Sequence, residues 1–231
     1  NLSLFGIEGA ARMTTLQWAG ALIWLAIVVV GFPREFWPKF RSEKDYQHLV
    51  LASIVMLCLL WSLRAGIAEG LQVHFLALTV LVLSHGWQIA GLIGSIPIVI
   101  FAVLGVINWP DAGLYALTGV IVPAIFSFGV FIFSYRFMAR HLFIYIFIAA
   151  FLNGALTMVI HLLLTSGWMY IGFDYSWAYI VDNYLVLLPL LLFPEALING
   201  MAITLLVVYK PEWVRTFADR DYIYPANNKD K

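Results

Sequence analysis

Seven predominantly apolar stretches take up most of this 231-residue chain, roughly residues 16–32, 49–63, 71–84, 87–107, 114–137, 142–165 and 184–209. A helix needs about 20 apolar residues to cross a bilayer, and in lipid its backbone N–H and C=O groups must be satisfied internally. The expected fold is therefore all-α, a polytopic integral membrane bundle of about seven transmembrane helices. Composition agrees: 63% of residues are hydrophobic and 11% charged, whereas soluble domains carry about 25% charged residues. The third stretch is short, and His85-Gly86 is the only break before the fourth. That pattern describes two spans or one hairpin sheltered inside the bundle equally well.

Loop charge sets the expected orientation, because Lys and Arg concentrate on the cytoplasmic side. Residues 33–48 hold Arg34, Lys39, Arg41 and Lys44; the turn after the fifth stretch holds Arg136 and Arg140; the last segment holds Lys210, Arg215, Arg220, Lys229 and Lys231. Seven crossings put all of these on one side and leave Arg12 and Arg64 on the other, with the N-terminus out and the C-terminus in. Trp37, Trp109, Trp168 and Trp213 fall where interfacial aromatics are expected. Residues 1–12 read as an N-terminal extension without the features of a cleavable signal, 13–212 as a single transmembrane domain, and 213–231 as a short cytoplasmic tail.

Thirteen basic and thirteen acidic residues balance, which gives no basic stripe for nucleic acid. The single cysteine, Cys58, excludes an internal disulfide and any CxxC motif; it reads as a small buried hydrophobe. GxxxxGK[ST], GxSxG, HExxH and GxGxxG are all absent, so nothing points to an enzyme, and energy for transport would have to come from another chain or an ion gradient.

Ionisable and polar groups at membrane depth mark candidate sites. Asn153, Thr157 and His161 are spaced i, i+4, i+8 and share one helical face, suited either to interhelical hydrogen bonding or to a ligand path. In the last stretch Pro194 should interrupt the helix just before Glu195, with Asn199 four residues on. Interrupted helices of this kind line transport sites, although the carboxylate is equally suited to pairing with His161 or Arg64. His74 begins the third stretch beside Glu69, and imidazole is the commonest metal ligand. His48, His85 and His141 read as boundary residues.

The runs Gly70-Leu-Gln-Val-His-Phe-Leu-Ala-Leu-Thr79, His85-Gly-Trp87, His141-Leu-Phe-Ile-Tyr-Ile-Phe147, Leu190-Leu-Leu-Phe-Pro-Glu-Ala-Leu-Ile-Asn-Gly-Met201 and Val207-Val-Tyr-Lys-Pro-Glu-Trp213 resemble the membrane permeases of the energy-coupling factor class. The similarity is to the cobalt and nickel uptake components of the CbiM and NikM type, in a bacterial branch. Members of that type bind the ion with an N-terminus beginning Met-His and a histidine at the start of a later span. His74 matches the second element; neither Asn1-Leu2-Ser3 nor Met13-Thr14-Thr15 matches the first.

The resemblance implies a substrate-binding component of an importer in the bacterial cytoplasmic membrane, working with a coupling transmembrane subunit and separate ATPases. It implies Co²⁺ or Ni²⁺ as bound substrate, with no resident cofactor. His74, His161 and Glu195 are the expected metal ligands, and Asn153, Thr157, Asn199 and Glu69 the expected substrate path. The rival expectation is a non-transporting accessory subunit of a larger membrane complex, its polar groups mutually satisfied in a dry core instead of facing a cavity.

Overall fold

The computed structural model describes residues 2–68, 71–173 and 175–223, with side chains at 15–66, 71–173 and 175–223. The first helix, α1 (Leu2–Val30), is followed by a short interfacial helix α2 (Phe36–Ser42) and the apolar α3 (Lys44–Ser62). A two-stranded antiparallel hairpin comes next, β1 (Ala65–Ala68) and β2 (Leu71–Val73), then α4 (Leu78–His85) and α5 (Trp87–Val103). The fifth apolar stretch is one long helix, Trp109–Phe137, in which α6 (Ala112–Ala116) and α7 (Val122–Phe137) flank a π-helical turn at Leu117–Ile121. The sixth, Leu142–Gly172, joins α8 (Leu142–Ile144) through the π-helical Tyr145–Leu152 to α9 (Asn153–Gly172). After α10 (Trp177–Asn183) comes α11 (Leu188–Tyr209), and α12 (Asp219–Tyr222) closes the described chain.

Among the described residues, Lys44–Ser62, Trp109–Phe137, Leu142–Gly172 and Trp177–Tyr209 are long and apolar enough to cross a membrane, and Thr15–Val30 and Trp87–Val103 are shorter apolar helices. Large side chains such as Val30, Leu190 and Val208 are exposed on the outer surface, as lipid-facing residues would be. Polar groups are directed inward instead: Trp24 Nε1 donates to Ser95 Oγ and Gln17 Nε2 to Asp111 Oδ1, both joining α1 to the bundle. At the contact of α1 with α6 the backbones nearly touch. A Cβ on Gly113 would lie 2.5 Å from the Ala21 backbone, so only glycine fits.

The third stretch departs from a continuous helix. Its first half is strand and irregular chain, and α4, with eight residues, is only about 12 Å long. Arg64 Nη2 contacts the Val106 carbonyl beyond one end of α5, while His85 adjoins Trp87 at the other. The chain between therefore runs the length of α5, half extended and half helical. The hairpin has no counterpart in the apolar pattern, which reads this region as loop and span.

A half-helix packed inside a bundle leaves four N–H groups and four carbonyls without partners in its own turns. Here α11 and the chain after it satisfy many of them. Glu195 Oε2 accepts from the Leu76 amide and Oε1 from the Ala77 amide, each at 2.8 Å, and Asn199 Oδ1 accepts from the Val80 amide at 2.9 Å. Asn199 Nδ2 in turn donates to Glu195 Oε1, locking the two together. Pro194 sits inside α11 with the helix continuing through it, and Glu195 pairs with backbone amides, not with His161 or Arg64. At the other end Thr216 donates twice to the Leu83 carbonyl, through its amide and its hydroxyl, and the Arg215 amide donates to the Ser84 carbonyl. Ala77, just before the helix, has φ +50°, a left-handed conformation costly for a residue with a Cβ.

Replacing Glu195 with Ala strands the buried Leu76 amide and the part-buried Ala77 amide and is expected to cost about 2–4 kcal/mol, read as a lower melting temperature in detergent. Ala77→Gly is expected to be neutral or to stabilise by up to about 1 kcal/mol, because glycine adopts positive φ freely. A melting temperature unchanged by Glu195→Ala would contradict the capping role.

Candidate metal-binding cavity

The bend from extended chain into α4 places His74 beside His161 of α9, their ring centroids 5.7 Å apart and tilted by 48°. Between them and their neighbours lies a small cavity of about 40 Å³. Arg64, Gln72, Tyr115, Gly119 and Thr165 also line it. His161 is almost fully buried and His74 half-buried.

Both imidazoles are held the same way. His74 Nδ1 lies 3.2 Å from the Phe75 carbonyl and His161 Nδ1 lies 3.0 Å from the Thr118 carbonyl. A carbonyl oxygen only accepts, so each Nδ1 carries the proton and each Nε2 keeps its lone pair. That tautomer leaves Nε2, one of the two ring nitrogens through which histidines bind metals, without a proton, and a backbone acceptor behind the ring orients it. Thr118 belongs to the π-helical turn of the fifth stretch, and such turns recur at functional sites. Trp61 closes one side: its ring lies 5.4 Å from that of His74, and its Nε1 donates to the Leu76 carbonyl.

The remaining expected site residues are placed elsewhere. Glu195 is buried outside the cavity lining, its oxygens engaged by two backbone amides and by Asn199. Asn199 caps α4, and its side chain packs where a Cβ on Gly154 would come within 2.8 Å. Asn153 and Thr157 share one helical face with His161, but they form a closed network across three helices. Asn153 Nδ2 donates to the Ser127 and Ala149 carbonyls and its Oδ1 accepts from Thr157; Thr79 bridges Thr157 and Ser127. Glu69 lies outside the described residues. Among the described residues no three His, Cys, Asp or Glu side chains are grouped to hold a metal ion.

Trp61, Gln72, Tyr115, Gly119 and Thr165 were not conspicuous in the sequence. Thr165 is the exception in principle: at i+4 from His161 it extends the Asn153, Thr157, His161 stripe by one step. Tyr115 and Gly119 lie four apart on another helix, and nothing local marks them as facing the histidines.

The model of one protein family, described as the cobalt uptake substrate-specific transmembrane region, matches residues 13–213. No curated protein and no solved structure matches the chain.

His161→Phe preserves an aromatic ring beside His74 but removes the bond to the Thr118 carbonyl. The expected cost is about 1 kcal/mol, a melting temperature lower by a few degrees. Parental stability in this variant would mean that the bond does not anchor the ring.

Proposed function

The chain belongs to the cobalt uptake substrate-specific transmembrane family, a family of transport components and not of enzymes, and from that premise we propose that it is the ion-binding subunit of an energy-coupling factor type importer. Its substrate is a divalent transition metal, cobalt or nickel, and His74 and His161 each donate Nε2 to the ion. The observation that carries this reading is a shared geometry: two imidazoles line one cavity, each with Nδ1 within hydrogen-bond distance of a backbone carbonyl. Borderline metals such as Co²⁺ and Ni²⁺ favour imidazole nitrogen.

Glu195 and Asn199 act in this scheme as positioning residues. They hold the start of α4 and, through Leu76 and Ala77, the chain that carries His74. Asn153 and Thr157 align α9 so that His161 reaches the cavity. A volume near 40 Å³ suits an ion stripped of most of its water.

The arrangement of charge supports seven passes with the N-terminus outside. Lys39 lies over Tyr46, Tyr46 packs on His85, and Arg215 reaches the His85 carbonyl. Arg140 lies over Tyr135, which bonds Asp221. The basic loop, turn and tail thus share an end of the bundle, the cytoplasmic one on the charge rule. The histidine cavity, close to Arg64 and Val106, then lies toward the outside. A coupling transmembrane subunit and ATPases supply the energy, since the chain holds no phosphate-binding loop. The membrane is the bacterial cytoplasmic one.

Equilibrium dialysis of the detergent-purified protein against Co²⁺ or Ni²⁺, with metal quantified by mass spectrometry, tests the reading. The parent is expected to retain about one ion per chain, and His74→Ala and His161→Ala each to weaken binding at least about tenfold. Metal retention indifferent to both substitutions would overturn the ligand assignment. No retention in the parent would favour an accessory subunit that keeps the fold without the cargo.

A further inference from the structure

A second pocket, of about 590 Å³, lies at the end of the bundle opposite the histidine cavity, between the loop after α1, the α4–α5 turn and the chain after α11. Two buried polar side chains line it without partners. His85 is 2% exposed with neither ring nitrogen hydrogen-bonded, and Ser84 is 6% exposed with its hydroxyl unbonded. Unsatisfied buried groups of this kind are costly, and two adjacent ones opening on a pocket mark a place where a ligand completes the bonding. Nothing in the cargo pathway uses them.

The charges around the imidazole narrow the ligand's chemistry. Lys39 Nζ lies 4.6 Å over the Tyr46 ring, Tyr46 meets His85 edge-on at 5.8 Å, and Arg215 Nη1 sits 3.4 Å from the His85 carbonyl. Arg34 also lines the pocket, and among the described residues none of these three cations is in an ion pair. Four acids share the lining, Glu35, Glu43, Asp45 and Glu212, of which Glu212 is paired with Lys210. Three cations thus face three uncommitted carboxylates. A simple anion would meet the carboxylates, and a simple cation the guanidinium and ammonium groups. A ligand carrying both signs meets neither penalty. The wall also includes Leu49, Ile89 and Trp213, apolar surface against which a glyceride could rest.

We propose that this pocket binds a zwitterionic phosphate ester with an attached amine, the headgroup chemistry of an aminophospholipid. The phosphate accepts from His85 and Ser84 beside Lys39 and Arg215, and the ammonium is received by the carboxylates. The lipid headgroup and free phosphoethanolamine share this chemistry, and competition between them separates the two sources.

Native mass spectrometry of the full chain, delipidated in detergent and titrated with phosphatidylethanolamine or phosphatidylglycerol, tests the site. The paired substitution Lys39→Gln with Arg215→Gln changes exposed side chains and keeps the Arg215 amide on the Ser84 carbonyl, so the melting temperature should stay close to the parental one; His85→Phe is the second variant. Phosphatidylethanolamine is expected to bind at least tenfold more tightly than phosphatidylglycerol, and to lose at least tenfold in either variant. Displacement by millimolar phosphoethanolamine would support the headgroup chemistry with a soluble ligand sufficient. Binding resistant to that competitor but lost in the variants would support the site with the lipid as its source. Equal binding of both lipids, binding indifferent to both variants, or no retained lipid would overturn the proposal.

Discussion

A short helix packed among other helices needs partners for its ends, because its own turns cannot supply them. In this protein α4 meets that requirement with one neighbour. Glu195 and Asn199 of α11 take the amides that lead into it, and Arg215 and Thr216, in the chain that follows α11, take carbonyls at its close. One long helix and its continuation therefore bracket α4 at both ends. The carboxylate carries the larger share of this work, since it accepts three donors and holds a left-handed Ala77 in place.

Because α4 is held in this way, the chain before it is free to be something other than helix. The non-helical segment from Leu71 to Ala77, strand and then irregular chain, carries His74 to the cavity that His161 also lines. Its exposed carbonyls are partly met by side chains, Trp61 at Leu76 and Tyr184 at Gln72. The widened turn at Leu117–Ile121 performs a matching service opposite, offering the Thr118 carbonyl to His161. Two local departures from the α-helix thus orient the two imidazoles, and the polar network of Asn153, Thr157, Thr79 and Ser127 fixes the helices that carry them.

Much of this was legible in the sequence. The apolar runs give most of the helices, and the brevity of residues 71–84 with its His85-Gly86 break leaves two spans and a sheltered hairpin both open. The i, i+4 pairing of Glu195 with Asn199 and the stripe ending at His161 are visible as patterns, because helical spacing alone puts those residues on shared faces. What partner each face meets is a tertiary matter. A carboxylate that accepts backbone amides 118 or 119 positions away looks, in sequence, the same as one that binds an ion. The hairpin is equally hidden: Ala65–Ala68 and Leu71–Val73 are too short to show alternation, and only their surroundings make them strands.

The proposed metal site depends on two imidazoles offering Nε2 to one ion. X-ray absorption at the cobalt edge of the Co²⁺-loaded protein reads the number of coordinated imidazoles through their characteristic outer-shell scattering. Two imidazoles per cobalt are expected in the parent and one in each single histidine variant that still holds metal. A cobalt environment of oxygen ligands alone, unchanged by either substitution, would contradict it.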